Sequence, residues 1–417
     1  MTAFATAREA PEQKADEAGA VRREFAPQPR IPSIDLMRGI VMVLMTLDHV
    51  RGELTWTARR LFAEASALPF DPTQLDASTP LFFWMRWITH FCAPAFIFLA
   101  GTGIFFWNRR HGTKRSLPAY LLTRGLLIAL IGLWLDSRGL FTADGKVALA
   151  VLWAIGVSMM LLGILFRVAG SRPGPLLWML ALCIVLGHNA LAGLPPAPEP
   201  WDALQRLALL KTRFTLPWGA TVFGVYPFLP WFGVMLLGYL CSGPLFSRPA
   251  PERRLALLGA ALIAAFILMR CGGWYGEPSV WRHWPLAWQT AADFFNLTKY
   301  PPSLQYLCMT LGPVLLGLAL LGNANPKGGL LLTLGKTPLV YYVAHLVLIN
   351  NAVKALAAGP ESWRPFIFSV YGIAAGTCLV IALLYPCCRF WLRRRGGWPK
   401  NASGQRRAAP LQPPQGD

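Results

Sequence analysis

Long apolar stretches recur along almost the whole chain, separated by short polar connections. A helix needs about 20 mostly apolar residues to cross the core of a bilayer, and only helices or closed barrels can span it. These stretches are too long and continuous for barrel strands. The pattern therefore predicts an all-α fold, a polytopic integral membrane helical bundle with about ten transmembrane helices. The segments are 34–55, 82–107, 117–136, 147–168, 174–193, 222–242, 254–271, 304–322, 330–354 and 365–388.

The two ends of the chain differ from this pattern. Residues 1–30 carry mixed charge, Ala and Pro without an apolar core, which predicts a disordered cytoplasmic arm and not a secretory signal peptide. Residues 31–390 form the predicted transmembrane domain. Residues 391–417 form a basic and then disordered cytoplasmic tail.

The distribution of Lys and Arg predicts the orientation. With both termini in the cytoplasm, 22 of the 39 basic residues lie on the cytoplasmic side and 14 on the opposite side. Basic loops favour the cytoplasm, so this orientation is the expected one. It places three long loops outside, at about 56–81, 194–221 and 272–303. The last is rich in Trp, which indicates an interfacial belt or, as the sharper alternative, stacking on a sugar face.

Composition supports a membrane protein and excludes several other classes. The chain is 54% hydrophobic and only 14% charged, whereas soluble domains carry about 25% charged residues. Its net charge of +19 has a topological explanation, so no nucleic-acid partner is predicted. The eight cysteines show no metal-ligand spacing, and no metal is expected. No phosphate loop, G-x-S-x-G elbow or H-E-x-x-H motif is present, which argues against an ATP-driven pump, a serine hydrolase or a zinc protease.

The first apolar segment carries ionisable residues at both ends. Asp35 and Arg38 open it, and Asp48 and His49 come near its end. Arg38 and His49 are about three helical turns apart, so they share one face at a separation of roughly 16 Å. Charged groups inside a membrane are costly and are functional candidates for that reason. The alternative is that Asp35 and Arg38 cap the helix while His49 makes a structural hydrogen bond.

A second histidine is expected near the same level. His90 lies about eight residues into the returning segment, and Pro94 removes a backbone hydrogen bond beside it. Antiparallel packing of the two segments would bring Asp48, His49 and His90 together. A carboxylate beside an imidazole suits a general base that acts on a hydroxyl or an amine. A buried polar contact between helices is the competing interpretation.

Cations near the cytoplasmic ends of other segments are the remaining candidates. Arg124 lies inside the third segment, and Lys336 opens a segment that also carries His345. Together with Arg38, Arg124 is placed to hold a phosphorylated co-substrate. A purely topological role remains the simpler explanation for the basic cluster at 109–115.

Several motifs together resemble those of transmembrane acyltransferases. The pattern Ser33-x-Asp35-x-x-Arg38-Gly39-Ile40, followed by His49, is similar to the first-helix signature of two related groups. These are the acyltransferase-3 family and the heparan-α-glucosaminide N-acetyltransferase family. Three further segments look most like bacterial members of the second group: 89–101, 298–303 and 341–345.

This resemblance implies an acetyl-CoA-dependent (or other acyl-CoA-dependent) N- or O-acetyltransferase of the inner (plasma) membrane. It would pass the acyl group from cytoplasmic acyl-CoA to a sugar or glycan beyond the bilayer, and a homodimer is compatible with it. His49 is the expected catalytic residue, as general base or acyl carrier, with Asp48 and His90 assisting. Arg38 and Arg124 are expected to bind the co-substrate. The residues assigned to substrate binding are Asp35, Lys299, Tyr300, Lys336 and His345.

Two functions of other classes fit the same residues. A secondary transporter would use the intramembrane His and Arg groups as a proton or anion path, although no internal repeat is visible. A non-catalytic partner in an envelope-polymer assembly would tolerate replacement of His49.

Overall fold

The computed structural model describes residues 31–61, 71–112, 115–137, 145–170, 174–198, 201–324, 326 and 328–395. The predictions of disorder in the N-terminal arm and in the last 22 residues lie outside these ranges. The helices are α1 (Pro32–Leu61), α2 (Pro80–Ile88), α3 (Cys92–His111), α4 (Leu117–Asp136), α5 (Val151–Ala169), α6 (Pro175–Ala192), α7 (Trp201–Leu209), α8 (Phe228–Phe246), α9 (Pro251–Gly272), α10 (Ala287–Phe295), α11 (Leu304–Leu320), α12 (Leu330–Lys336), α13 (Pro338–Ala357), α14 (Arg364–Ile367) and α15 (Val370–Arg394). The strands are β1 (Lys146–Leu149), β2 (Thr212–Thr215) and β3 (Thr221–Gly224).

The predicted all-α membrane bundle is confirmed. Within the described ranges, eight spans are long and apolar enough to cross a bilayer, counting α2 and α3 together as one. The other two predicted segments also fold as helices. One is α11, which has 17 residues, and the other is α1, whose 30 residues include the charged groups noted above.

Two predicted segments begin as strands and not as helices. β1 pairs in parallel with β3, and β3 pairs antiparallel with β2. One face of this sheet is apolar and buried, and it is formed by the side chains of Val147, Leu149 and Val222. Buried and less buried residues alternate along β1 and β3, because successive side chains of a strand point to opposite faces. β1 comes shortly before α5 in the chain, and β3 comes shortly before α8. Both helices therefore begin later than the predicted segments.

Proline divides two other segments. Pro338 begins α13 directly after α12, so the predicted segment 330–354 consists of two helices. Pro94 lies just inside α3, after a 3₁₀ turn at Thr89–Phe91 that separates α3 from α2. A proline lacks the N–H that would bond the carbonyl four residues earlier. That carbonyl belongs to His90, and it accepts a hydrogen bond of 2.7 Å from the Tyr306 hydroxyl instead.

Helix α1 lies at the centre of the bundle. It packs against α3, α11, α12, α13 and α15. Its contact with α12 is especially close, because a Cβ atom at Gly39 would overlap the carbonyl oxygen of Leu331 and one at Gly335 would overlap that of Asp35. Small residues of this kind let membrane helices approach backbone to backbone. The helix that carries Arg38 and His49 is therefore enclosed by the rest of the protein.

Candidate functional site

A cavity of about 400 Å³ runs along one face of α1. Arg38 and His49 both line it, as their shared helix face predicts, and Met42 and Met45 lie between them. Its volume is in the range of ligand-binding pockets, and most of its wall is apolar. The arrangement joins a cationic end near Arg38 to an imidazole about 16 Å away along the helix.

The imidazole of His49 is paired with that of His345 from α13. His49 Nδ1 and His345 Nε2 are 2.7 Å apart, and the two rings stack with centroids 4.9 Å apart. On the far side of His345, the ring of Tyr341 stacks at 5.3 Å. The hydroxyl of Tyr341 lies 2.7 Å from that of Thr46, one turn before His49 on α1. The pair is thus fixed by contacts on both helices.

The hydrogen bonds around this pair determine which ring nitrogens carry protons. His345 Nδ1 lies 2.9 Å from the carbonyl oxygen of Tyr341, which only accepts, so Nδ1 is the donor. In a neutral ring Nε2 of His345 is then an acceptor, and His49 Nδ1 donates to it. The remaining Nε2 of His49 has a free lone pair. That atom has no hydrogen-bonding partner in the described part of the chain, and the ring lines the cavity.

The expectation that Asp48 orients the His49 ring is wrong. The Asp48 carboxylate pairs with Arg51 at 2.8 Å and with Arg86 from α2 at 3.4 Å. Successive residues of a helix leave it about 100° apart, so Asp48 and His49 point in different directions. Arg86 also donates to the Thr89 hydroxyl at 2.8 Å, which ties the 3₁₀ turn to this ion-pair cluster. Asp48 still lines the cavity beside His49.

His90 is not brought into the cavity. Its side chain is buried, its ring packs edge-on against Tyr306 with centroids 5.6 Å apart, and its Nδ1 has no partner among the described residues. The neighbouring Cys92 and Ala93 line the cavity instead. The predicted cluster of Asp48, His49 and His90 is thus replaced by a pair of His49 with His345, because the 3₁₀ turn directs His90 toward α11.

The opposite end of the cavity contains both predicted co-substrate residues. Arg38 donates to the carbonyl oxygen of Leu99 at 2.7 Å and lies 3.6 Å from Asp35. Arg124 lines the same end and is otherwise exposed. The rings of Trp107 and Tyr120 stack there at 4.0 Å. Two cations and a flat aromatic surface therefore lie together at this end of the cavity.

Two of the predicted substrate-binding residues, Asp35 and Lys336, lie near the Arg38 end of the cavity but do not line it. Asp35 is buried where α1 meets α12, and Lys336 ends α12 at that contact. Neither side chain lines the cavity. A structural role in the contact between these two helices explains their position.

Lys299 and Tyr300 lie near the His49 end. Lys299 lines the cavity, and its ammonium lies 5.4 Å from the centroid of the Tyr300 ring. The Tyr300 hydroxyl donates to that of Tyr226 at 3.3 Å, and Tyr226 lines the cavity as well. Burial raises the pKa of the Tyr226 hydroxyl well above its ordinary value. Tyr226 therefore remains a hydrogen-bond donor at neutral pH.

Sequence reasoning missed several residues of this site. Tyr226, Tyr342, Trp107 and Tyr120 line the cavity, and Arg86 binds Asp48. Arg86 had a usable signal, because it is a cation four residues before His90 on an apolar helix. The aromatic residues had none, since Trp and Tyr are common at membrane interfaces. Within the described ranges, no three His, Cys, Asp or Glu side chains group in a way that would hold a metal ion.

Comparison with known proteins identifies a family. The family model described as "Heparan-alpha-glucosaminide N-acetyltransferase, catalytic" matches residues 30–279, which include helices α1 to α9. A search of curated proteins finds no match. The matched range contains Arg38, Asp48, His49 and Arg124, whereas Lys299 and His345 lie beyond it.

Proposed function

Because the chain belongs to the heparan-alpha-glucosaminide N-acetyltransferase catalytic family, we propose that it transfers an acetyl group across the membrane. The donor is acyl-CoA from the cytoplasmic side, and the acceptor is a hydroxyl or amine of a sugar or glycan on the opposite side. The observation that carries this proposal is the cavity, which connects the cations at one end to an unpaired imidazole nitrogen at the other.

The cationic end suits the phosphates of the donor. Arg38 and Arg124 both line this end of the cavity, and arginine binds phosphate oxygens through several N–H groups at once. Trp107 and Tyr120 offer flat apolar surfaces beside them. The apolar wall between the two ends, which includes Met42 and Met45, then suits the chain that carries the thioester toward His49.

His49 supplies the base. As the acceptor oxygen or nitrogen bonds to the thioester carbonyl carbon, its proton passes to His49 Nε2. The carbon–sulfur bond then breaks, and the same proton passes from His49 to the sulfur, which leaves as CoA. His345 holds the ring in the required tautomer throughout. Attack by Nε2 itself, with an acyl-histidine intermediate, uses the same lone pair.

The test compares two histidine variants of the purified protein. With labelled acetyl-CoA and a panel of amino and neutral sugars, His49→Ala is expected to lower the rate of acyl transfer by about 10²- to 10⁴-fold, since it removes the base. His283→Ala is the matched control, because His283 is an exposed loop residue outside the cavity, and it is expected to keep wild-type activity.

A His49→Ala protein as active as wild type would contradict the proposal. Flux of a solute into proteoliposomes without release of CoA would indicate the transporter function instead. Quenching the wild-type reaction with a denaturant at neutral pH, where an acyl-imidazole survives longer than in acid, and searching at once for a labelled acyl-histidine distinguishes the two routes, because only the covalent route places label on the protein.

A further inference from the structure

Three cations gather at the His49 end of the cavity, and two of them have ion-pair partners there. Arg51 and Arg86 both bind the carboxylate of Asp48. Lys299 lines the same end of the cavity and forms no hydrogen bond or ion pair with any described residue through its ammonium. Its ammonium lies 5.4 Å from the centroid of the Tyr300 ring. It also interacts electrostatically with the Asp48 carboxylate, which already binds both arginines.

This lysine is not an ordinary surface residue. It is only 7% exposed, and burying an ammonium is unfavourable unless a negative charge compensates it. The one carboxylate among the described residues that lines this end of the cavity, that of Asp48, is shared with two arginines. An ammonium also has three N–H donors, none of which is satisfied by the described residues. Three cations, Arg51, Arg86 and Lys299, thus act on the single carboxylate of Asp48, and this excess of positive charge favours a further negative charge at this end of the cavity.

The backbone around Lys299 is held on both sides. The carboxylate of Glu277 accepts hydrogen bonds from Thr298, from its backbone nitrogen at 3.0 Å and from its hydroxyl at 2.6 Å. His188 Nε2 lies 2.6 Å from the carbonyl oxygen of Pro302, to which it donates. The Ser303 nitrogen donates to the Thr298 carbonyl at 2.9 Å, which closes the turn. The ammonium is therefore presented from a fixed segment, as electrostatic stabilisation of a transition state requires.

The proposed reaction generates one negative charge near His49. When the acceptor attacks the thioester, the electron pair of the C=O bond moves onto its oxygen, and it returns when the carbon–sulfur bond breaks. The phosphates of the donor are expected near Arg38, about 16 Å away along α1. They are too distant to be the counterion of Lys299.

We propose that Lys299 is a catalytic residue whose ammonium stabilises this oxyanion, a role that rests on the proposed acyl transfer. The Tyr226 hydroxyl, which lines the same end, is a second donor for that oxygen. The acceptor proton still passes to His49 Nε2 and then to the sulfur of CoA, so the lysine neither gains nor loses a proton in the cycle.

The experiment replaces Lys299 and a matched lysine in the purified full-length protein. Lys299→Met keeps the length of the side chain without its charge, and Lys299→Arg keeps the charge. Lys211→Met is the control, because Lys211 is exposed and lies 5.9 Å from the same Tyr300 ring but outside the cavity. The measurements are kcat, KM for acetyl-CoA, KM for the acceptor, and CoA binding by calorimetry, which reports folding independently of activity.

Lys299→Met is expected to lower kcat by about 10²- to 10³-fold while CoA binding and both KM values change less than about threefold. Lys299→Arg is expected to recover part of that loss, and Lys211→Met is expected to behave as wild type.

A kcat within threefold of wild type for Lys299→Met would overturn the proposal. A loss of activity seen only as a higher KM for the acceptor would overturn it as well. If Lys299→Met also fails to bind CoA, Lys299→Gln, which is shorter and retains a donor, is measured in its place against the same criteria. Absence of acyl transfer by the wild-type protein would instead refute the proposed function itself.

Discussion

His49 takes its chemical character from a residue 296 positions further along the chain. The Tyr341 carbonyl fixes the proton on His345 Nδ1, and His345 in turn fixes the proton of His49. This leaves Nε2 of His49 as the only nitrogen of the pair with a free lone pair. The sequence suggested His345 as a substrate-binding residue; from these contacts we propose instead that it is a positioning residue that acts through His49.

Replacing His345 tests that role. His345→Phe keeps a ring for stacking on Tyr341 but removes the acceptor for His49 Nδ1, and we expect kcat to fall by roughly 10- to 100-fold. His345→Gln places an amide oxygen near the position of Nε2, so it is expected to recover much of the activity. The pH profile of kcat/KM is measured for both, because loss of the acceptor changes the basicity of His49.

A purely structural role for His345 would give a different result. Both variants would then lose activity in proportion to their loss of thermal stability, and the pH profile of the remaining activity would match that of wild type.

Helix α1 depends on close packing to hold Arg38 and His49 on the cavity wall. At its contact with α12, the backbone of Leu331 lies where any side chain at Gly39 would have to fit. Further along the same helix, Gly52 faces open space, with nothing within 4 Å of an added Cβ atom. The same substitution is therefore expected to have opposite effects at the two positions.

We expect Gly39→Ala to destabilise the protein by about 1–3 kcal/mol through overpacking and to lower activity by displacing Arg38. Gly52→Ala is expected to leave activity unchanged and to stabilise the helix by up to about 1 kcal/mol. Thermal unfolding in a single detergent and the acyl-transfer rate provide the measurements. Equal effects at both positions would mean that the contact between α1 and α12 does not restrict the site.

The loop between α9 and α11 is organised by one buried arginine on α9. Arg270 donates to the carbonyl oxygens of Ser279, Asp293 and Phe294 at 2.7–2.9 Å. These three bonds attach the Trp-rich segment to the bundle and so support the turn that carries Lys299. Its Trp284 and Trp288, together with Trp84 from α2, pack around the buried Leu75, Phe83 and Ala292. This favours a packed cover over an open sugar-stacking surface for these rings.

The molecule as a whole is arranged around the cavity, since helices α1, α3, α4, α5 and α13 all contribute to its wall. If both ends act in one reaction, then filling the cavity must stop transfer even though Arg38 and His49 are unchanged. Ala100 lines the cavity on α3, next to Leu99 whose carbonyl binds Arg38, and is half-buried. Ala264 is exposed on α9 and provides a site for the same substitution on the outer surface of the bundle.

Ala100→Phe is expected to reduce acyl transfer at least 10-fold, because the larger side chain fills part of the cavity. Its free energy of unfolding is expected to fall by no more than the roughly 1–3 kcal/mol that overpacking a core position costs. Ala264→Phe is expected to retain full activity. Both proteins are assayed for transfer and for unfolding temperature in the same detergent. Full activity of Ala100→Phe would show that the acyl group does not pass through this cavity.

Local features of the sequence determined the membrane class, the helix face shared by Arg38 and His49, and the interrupted helix before Pro94. Each depends on neighbouring residues, through apolar length, the 3.6-residue period and the missing N–H of proline. The strands before α5 and α8 were not visible, because short apolar runs fit a strand or a helix equally well.

Only the tertiary structure decided the partners of the candidate catalytic groups. His49 meets His345, Asp48 meets Arg86, and Lys299 reaches the cavity from a loop far along the chain. His90, although placed at the right level by counting residues, turns toward Tyr306. Helical periodicity sets the direction of a side chain relative to its own helix, but which neighbour it meets depends on how the helices pack, and packing is a property of the whole bundle.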